Sequence, residues 1–208
     1  SFDYLKLVSI KLAEEYPWLP IHATCVDFTH SLPVPEEAPE GNRLVFFPGS
    51  SIGNFDHTAA REFLCMVHDA LGKGGMLLIG VDTKKDEQVL NEAYNDKAGI
   101  TAEFNINLLH RMRDELGMVI ALENFAHKAF YNTREGRIEM HLVSKIDQVL
   151  EYNNYRFGFT EGESIHTENS YKYTPQEFSS LASDSGFKGV RQWLDEEQLF
   201  AVYLFEAL

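Results

Sequence analysis

The sequence is short of basic residues, cysteine and long apolar runs, and each shortage closes off a class of function. Lys and Arg total 18 against 32 Asp and Glu, a formal net charge of −14. A phosphate-binding surface needs clustered Lys and Arg. No such cluster occurs, so the sequence suggests neither nucleic acid nor an anionic membrane surface as partner. The only cysteines, Cys25 and Cys65, lie far apart in apolar settings and outside any C-x-x-C pattern. They read as reduced core residues of a cytoplasmic protein, with no redox or zinc motif. No apolar run approaches the roughly 20 residues of a membrane span, and no signal-peptide pattern is visible. Internal repeats and low-complexity tracts are missing as well.

What is present suits a packed α/β protein. The 208 residues are 44% hydrophobic, enough for a buried core in one large or two small domains. Leu5, Val8, Leu12 and Tyr16 recur at helical spacing before Pro17. Residues 21–26 read as a short buried strand, and 32–42, with Pro33, Pro35 and Pro39, as a loop. A strand over 43–47, a helix over 56–71 with Phe63, Leu64, Val67 and Leu71 inward, and a strand over 76–81 follow. This alternation predicts a parallel sheet with crossover helices. Helices over 87–94 and 102–116 and strands over 125–131, 137–145 and 148–152 break it. Residues 85–171 are therefore expected to form an inserted second domain, leaving 1–84 and 172–208 as the first. In the last third, Thr174-Pro175-Gln176-Glu177 opens a helix that Gly186 ends. Strands over 190–194 and 200–205 then form an antiparallel pair at a sheet edge.

Several polar groupings invite a chemical reading beside a plainer one. "FFPGSSIGNF" leaves a strand through small residues, and loops at the carboxyl ends of strands are where open α/β sheets hold ligands. Gly49, Gly53 and Asn54 let backbone and an amide approach a ligand, or else supply positive φ and cap the next helix. Asp27-Phe28 after a strand can hold an adenine, the carboxylate taking the exocyclic amine, or can be a turn and a core ring. "EAYNDKAGITAEFNINLL" places Tyr94, Asn95, Asp96, Thr101, Asn105 and Asn107 together, as caps or as a pocket lining. In "RIEMHLVSK", Glu139 and His141 share one strand face and Met140 takes the other. A metal pair is discounted, because no third ligand appears at matching spacing. "GESIHTENSYKY" is too polar for a buried strand and has too few turn residues for an idle loop. Ser164, His166 and Glu168 fall close together there, but a Gly-x-Ser-x-Gly nucleophile elbow is lacking.

Taken in order, "FFPGSSIGNF", "LLIGVDTKKD", "AYNDKAGITAEFNINLL", "RIEMHLVS" and "GESIHTENSYKYT" resemble the successive signatures of the histidine-specific, S-adenosylmethionine-dependent methyltransferases. Five motifs spread over nearly the whole chain are far more specific than any one. The resemblance implies a class I methyltransferase (Rossmann-like) α/β sheet with an inserted α+β substrate domain. It implies S-adenosylmethionine as cofactor, with Asp27 on the adenine amine and Phe28 beside it. It also implies histidine as the small-molecule substrate, methylated on its α-amino group. Gly49, Thr101 and Met140 would line the pocket. Asn54 and Tyr94 would hold the carboxylate and orient the amine, while Glu168 and Ser170 would read the imidazole.

Two departures qualify that picture. The family's glycine-rich cofactor loop and the acidic residue that holds the ribose have no counterpart in these 208 residues, nor has the aromatic-bearing start of the substrate domain. The sequence is thus expected to be an N-terminally truncated C-terminal portion, inactive alone and prone to self-association through an exposed sheet edge. Another amino acid or amine as substrate, or a non-catalytic module that keeps the fold, are the competing readings.

Overall fold

The structure is a computed structural model that describes residues 2–35 and 41–208. Pro39 of the expected loop lies outside those residues. The elements in order are α1 (Phe2–Glu15), β1 (Leu44–Phe47), α2 (His57–Leu71), β2 (Met76–Asp82), α3 (Glu87–Tyr94), α4 (Ile100–Leu116), β3 (Phe125–Asn132) and β4 (Arg137–Ser144). Then come β5 (Gln148–Tyr152), β6 (Tyr155–Phe159), β7 (Ser164–Tyr171), α5 (Pro175–Asp184), β8 (Phe187–Leu194) and β9 (Phe200–Ala207).

The first sheet runs β1-β2-β9-β8. β1 and β2 are parallel, in register from Leu44↔Met76 to Phe47↔Ile79, and β9 lies antiparallel to β2. β2 is an almost unbroken apolar run, with Leu77, Ile79 and Val81 buried on one face and Met76 and Leu78 half-buried on the other. α2 buries Phe63, Leu64, Val67 and Leu71 against this sheet, and α5 adds Phe178 and Ala182. Both helices start on good caps. Asp56 accepts from Ala59 N at 2.8 Å, and Thr174 and Glu177 form a reciprocal capping box. None of the described helices is long and apolar enough to cross a membrane.

The second sheet, β3-β4-β7, is antiparallel throughout. Leu90 of α3 packs with Ala129, Ile138 and Met140, and Leu109 of α4 packs with Phe125, Leu142 and Leu150. The two sheets meet just past β2 and β7. There Thr83 bridges Tyr173, and Lys84 N donates to Tyr173 O at 3.1 Å.

Four expectations need correction. Residues 21–26 form no strand, because among the described residues no strand lies beside them to complete a ladder. Cys25 is exposed and not a core residue, though both cysteines are free. The return strand β6 went unread. Its hairpin turns on Asn153-Asn154, both at positive φ (47° and 68°), the type I′ geometry that Asn tolerates. The polar segment 164–171 is a strand after all, since one of its faces lines a polar site instead of a core.

The small residues of "PGSSIGN" now have a steric reason. The short 3₁₀ helix Ser51–Asn54 presses on β7, and a Cβ on Gly53 would stand 2.7 Å from Tyr171 O. Backbone cannot yield as a flexible side-chain tip does. Gly53→Ala is expected to destabilise the protein by about 1–3 kcal/mol, read as a lower urea midpoint at unchanged slope.

Candidate ligand site at the junction of the two sheets

The site begins where β1 ends. Gly49 (φ 77°) and Ser50 (φ 58°) turn the chain back over β2, and Ser50 Oγ accepts from Asp82 N at 2.8 Å. It is Ser50 and not Gly53 that joins Gly49 in the left-handed region, and Asp56 and not Asn54 that caps α2. Asn54 is left exposed on the wall of a cavity of about 300 Å³ that it shares with His166, Thr167, Glu168 and Asn169. Asn169 Oδ1 is buried without a hydrogen-bond partner, on a residue that the ladder sets across from Glu139, on the face away from Glu168.

Behind the wall lies a buried cation. The Lys172 side chain is 1% exposed, and its ammonium sits 2.6 Å from Asp82 Oδ2 at the end of β2. It also donates to Ser170 Oγ (2.9 Å) and Tyr94 OH (3.0 Å), and Tyr94 OH donates to Ser170 Oγ at 2.9 Å. Lys85 pairs with the other Asp82 oxygen. Expected site residues from α3 and β7 thus converge on one ammonium. Met140, fully buried, lies directly across the ladder from Glu168. Burial pushes the Glu168 carboxyl above its usual range, against a smaller opposing pull from Lys172.

α4 is held over this sheet by Asn105. Its amide donates to His141 O at 3.0 Å, and its carbonyl oxygen accepts from Thr167 Oγ1 at 2.7 Å. Thr101 lies one turn earlier on the same helix face. Its backbone N–H donates to Asp96 Oδ1 (2.9 Å), and this bond, with that from Ile100, lowers the Asp96 carboxyl to about 2.

Asp27 and Phe28 belong to a second grouping. The Phe28 ring is half exposed and meets Phe47, Phe55 and Phe63 at 6.1–6.4 Å, so it rests against the root of the Gly49 loop. Asp27 is exposed, and its Oδ1 accepts from Thr29 N (3.0 Å) and Thr29 Oγ1 (2.6 Å). Those bonds, the Thr29 hydroxyl first, hold its carboxyl below the ordinary range. Among the described residues Oδ2 meets only the His30 ring, so an adenine amine can reach an ionised carboxylate while its base lies along Phe28. The residues present fit the adenine end of S-adenosylmethionine.

On the opposite face of the second sheet, a third potential metal ligand does exist. His166 of β7 joins Glu139 and His141, with ligand atoms within 4.8 Å of one another. Sequence spacing missed it because the contact crosses strands. Yet Glu139 Oε1 already accepts from Arg137 Nε (2.9 Å), Arg137 Nη2 (2.8 Å) and Asn132 Nδ2 (3.0 Å). The two imidazoles are stacked 4.5 Å apart at 15°, which sets their nitrogen lone pairs side by side and not convergent. An ion pair and ring stacking account for the arrangement.

Sequence reasoning missed Lys172 and Asp82 as site residues. A lone Lys between Tyr171 and Tyr173 carries no local signal, and its partner is 90 positions away. Asn105, Asn169 and Lys172 were visible only as members of polar sets, and Thr167 was not singled out.

Convergent polar groups beside a small cavity, where the strands of an α/β sheet end, make this a small-molecule site. Residues 1–207 match the family described as "Histidine-specific methyltransferase, SAM-dependent", and the chain belongs to that family. The chain is 36% identical over 203 residues to a histidine N-alpha-methyltransferase of Mycolicibacterium smegmatis, and 34% identical to that of Mycobacterium tuberculosis. Each alignment covers 96% of this chain and 62% of the relative. It is 32% identical over 163 residues to the Ergothioneine biosynthesis protein 1 of Neurospora crassa, covering 76% of this chain and 18% of that protein. A solved S-adenosylmethionine-dependent methyltransferase from Clostridium acetobutylicum shares 10% identity at a TM-score of 0.49, covering 97% of this chain and 70% of that one.

The Glu139 cluster generates a pH prediction. Burial raises this carboxyl, but the bonds from Arg137, Asn132 and His141 together outweigh burial and lower it from 4.5 to about 2. A depressed carboxyl contributes stability above its unfolded value and loses it as pH falls toward the folded one. The contribution is roughly 3 kcal/mol at neutral pH, with roughly 2 lost by pH 3. Urea unfolding at pH 7 and pH 3 is expected to show that loss in the wild type, and a smaller one in Glu139→Gln.

Proposed function

We propose that the protein methylates the α-amino group of L-histidine, using S-adenosylmethionine. The chain spans 62% of the length of the two mycobacterial relatives, so the activity is proposed for the protein that carries it. The observation that carries the reading is the pairing of Glu168 with Ser170 on one face of β7. There a carboxylate acceptor lines the cavity and a hydroxyl held by Tyr94 and Lys172 lies two residues along the strand, an acceptor and a donor that together suit a ring with two nitrogens. Both cysteines are free thiols, which supports a cytoplasmic setting.

The cofactor supplies a methyl group on a sulfonium centre. The chain's own residues have the task of position. Asp27 and Phe28 take the adenine end beside the Gly49 loop. Asn54 holds the substrate carboxylate, and Tyr94, its hydroxyl oxygen accepting from the neutral amine, turns that amine lone pair foremost toward the methyl carbon. Thr101 and Met140 close the pocket around the ring. Alignment of the two reacting atoms accounts for much of the acceleration in such a displacement, without a covalent nucleophile. Residues 85–171 serve as the substrate-binding domain in this reading.

Calorimetric titration of L-histidine, with and without S-adenosylhomocysteine, tests it. Histidine is expected to bind more tightly with the cofactor product present. Glu168→Ala is expected to weaken histidine by roughly 10–100-fold, the worth of a hydrogen bond to a charged group. Binding of S-adenosylhomocysteine without binding of histidine would point to another amine.

A further inference from the structure

We infer that Lys172 is a positioning residue that makes the Ser170–Tyr94 hydroxyl pair a compulsory donor, so that the site takes a ring nitrogen with a free lone pair. The inference rests on the histidine reading and deepens it. It names the form of ring the site accepts and the residue that enforces it.

The argument is a count of protons. An ammonium has three donors and no acceptor. Lys172 has three partners at hydrogen-bond distance: Asp82 Oδ2 (2.6 Å), Ser170 Oγ (2.9 Å) and Tyr94 OH (3.0 Å). The ammonium has no lone pair to offer, so each hydroxyl oxygen meets the cation as an acceptor. The two hydroxyls own one proton each. One of these lies between their oxygens, 2.9 Å apart, donated by Tyr94. The proton of Ser170 remains, and no acceptor among the described residues takes it. Ser170 lies two residues along β7 from Glu168, on the same face, and Glu168 lines the cavity.

The cation cannot turn away to free the pair. It is buried, Asp82 anchors it from the first sheet, and Ser50 Oγ fixes the Asp82 backbone. Ser170 therefore meets a ligand atom only as donor. Glu168, an acceptor when ionised, takes the ring N–H. The two together select a neutral imidazole with one N–H and one bare nitrogen. An imidazolium would turn N–H groups on both residues and leave the Ser170 proton facing another donor.

Three ring analogues of histidine at pH 8 isolate the lone pair. β-(2-Thienyl)alanine has a five-membered ring with no ring nitrogen. The 4- and 5-thiazolyl isomers each place one bare nitrogen where histidine has Nδ1 or Nε2. In the wild type, the better thiazolyl isomer is expected to bind about tenfold more tightly than the thienyl compound. Tyr94→Phe is expected to keep that preference, since Ser170 retains its proton. Ser170→Ala is expected to bring the two compounds within about twofold. Lys172→Met leaves the Ser170 proton in place but frees the hydroxyl pair to accept as well, so it is expected to keep the thiazolyl preference and to gain about tenfold, relative to the thienyl compound, for the pyrrolylalanine isomer that turns its N–H on Ser170. A merely structural role for Lys172 would weaken every compound alike and leave that pyrrolyl ratio unchanged. Should Lys172→Met not fold, Lys172→Gln, whose amide can accept as well as donate, takes its place. Histidine binding with equal thienyl and thiazolyl affinities in the wild type would overturn this inference and spare the histidine reading. No binding by histidine or any analogue would overturn both.

Discussion

The structure turns on one buried ion pair, Asp82 with Lys172. Asp82 ends β2 of the first sheet, and Lys172 follows β7 of the second, so the pair is formed where the two sheets join. Its surroundings satisfy the conditions under which a buried charge is tolerated. Both carboxylate oxygens have a lysine partner, and the Lys172 ammonium has two hydroxyl acceptors besides its carboxylate. The expected site residues are arranged from it outward. Ser50 reaches Asp82 from the small-residue loop, Tyr94 reaches Lys172 from α3, and Ser170 reaches it along β7. A chain of polar contacts thus runs from the loop after β1 to the pocket wall.

Much of the architecture was legible because it rests on local signals. The span of α3 was read to the residue, and the capping box at Thr174 marked the start of α5. The alternation of helix and strand, and its break after β2, separated the elements of the first sheet from those of the second. What went unread depended on distant partners. Residues 21–26 have the composition of a strand, but strand is a property of a pair, and among the described residues no ladder reaches them. α1 shows the same limit. Its apolar stripe is helical as expected, yet it buries no residue, and Phe2, Leu7 and Ile10 remain exposed. Periodicity reports which face an element offers, not whether something covers it.

β7 failed in the other direction. Its polarity argued against a strand, on the assumption that a strand's inward face is apolar. Here that face carries Glu168 and Ser170, and the register with β4 sets them across from Met140 and Ile138. Residues with the wrong pattern for a core had the right pattern for a site, and local rules are commonly broken where function is placed. A register shift after Met140 adds to this. It leaves Thr167 out of the ladder, free to bond Asn105 of α4 and the carbonyl of Met140. Spacing arithmetic along β7 cannot foresee that shift.

A buried ion pair is weak support for stability, since two apolar side chains of similar volume would join the sheets as well. The difference lies in what surrounds it. An apolar pair would leave the hydroxyls of Tyr94 and Ser170 free to donate or accept, and the pocket would then tolerate several ring chemistries. With an ammonium in place, the direction of those bonds is set before any ligand arrives. A partner that lacks a lone pair must then leave a buried donor unmade, which costs more than the bond itself contributes. The desolvation of Lys172 and Asp82 is thereby converted into selectivity at a hydroxyl two residues from Glu168.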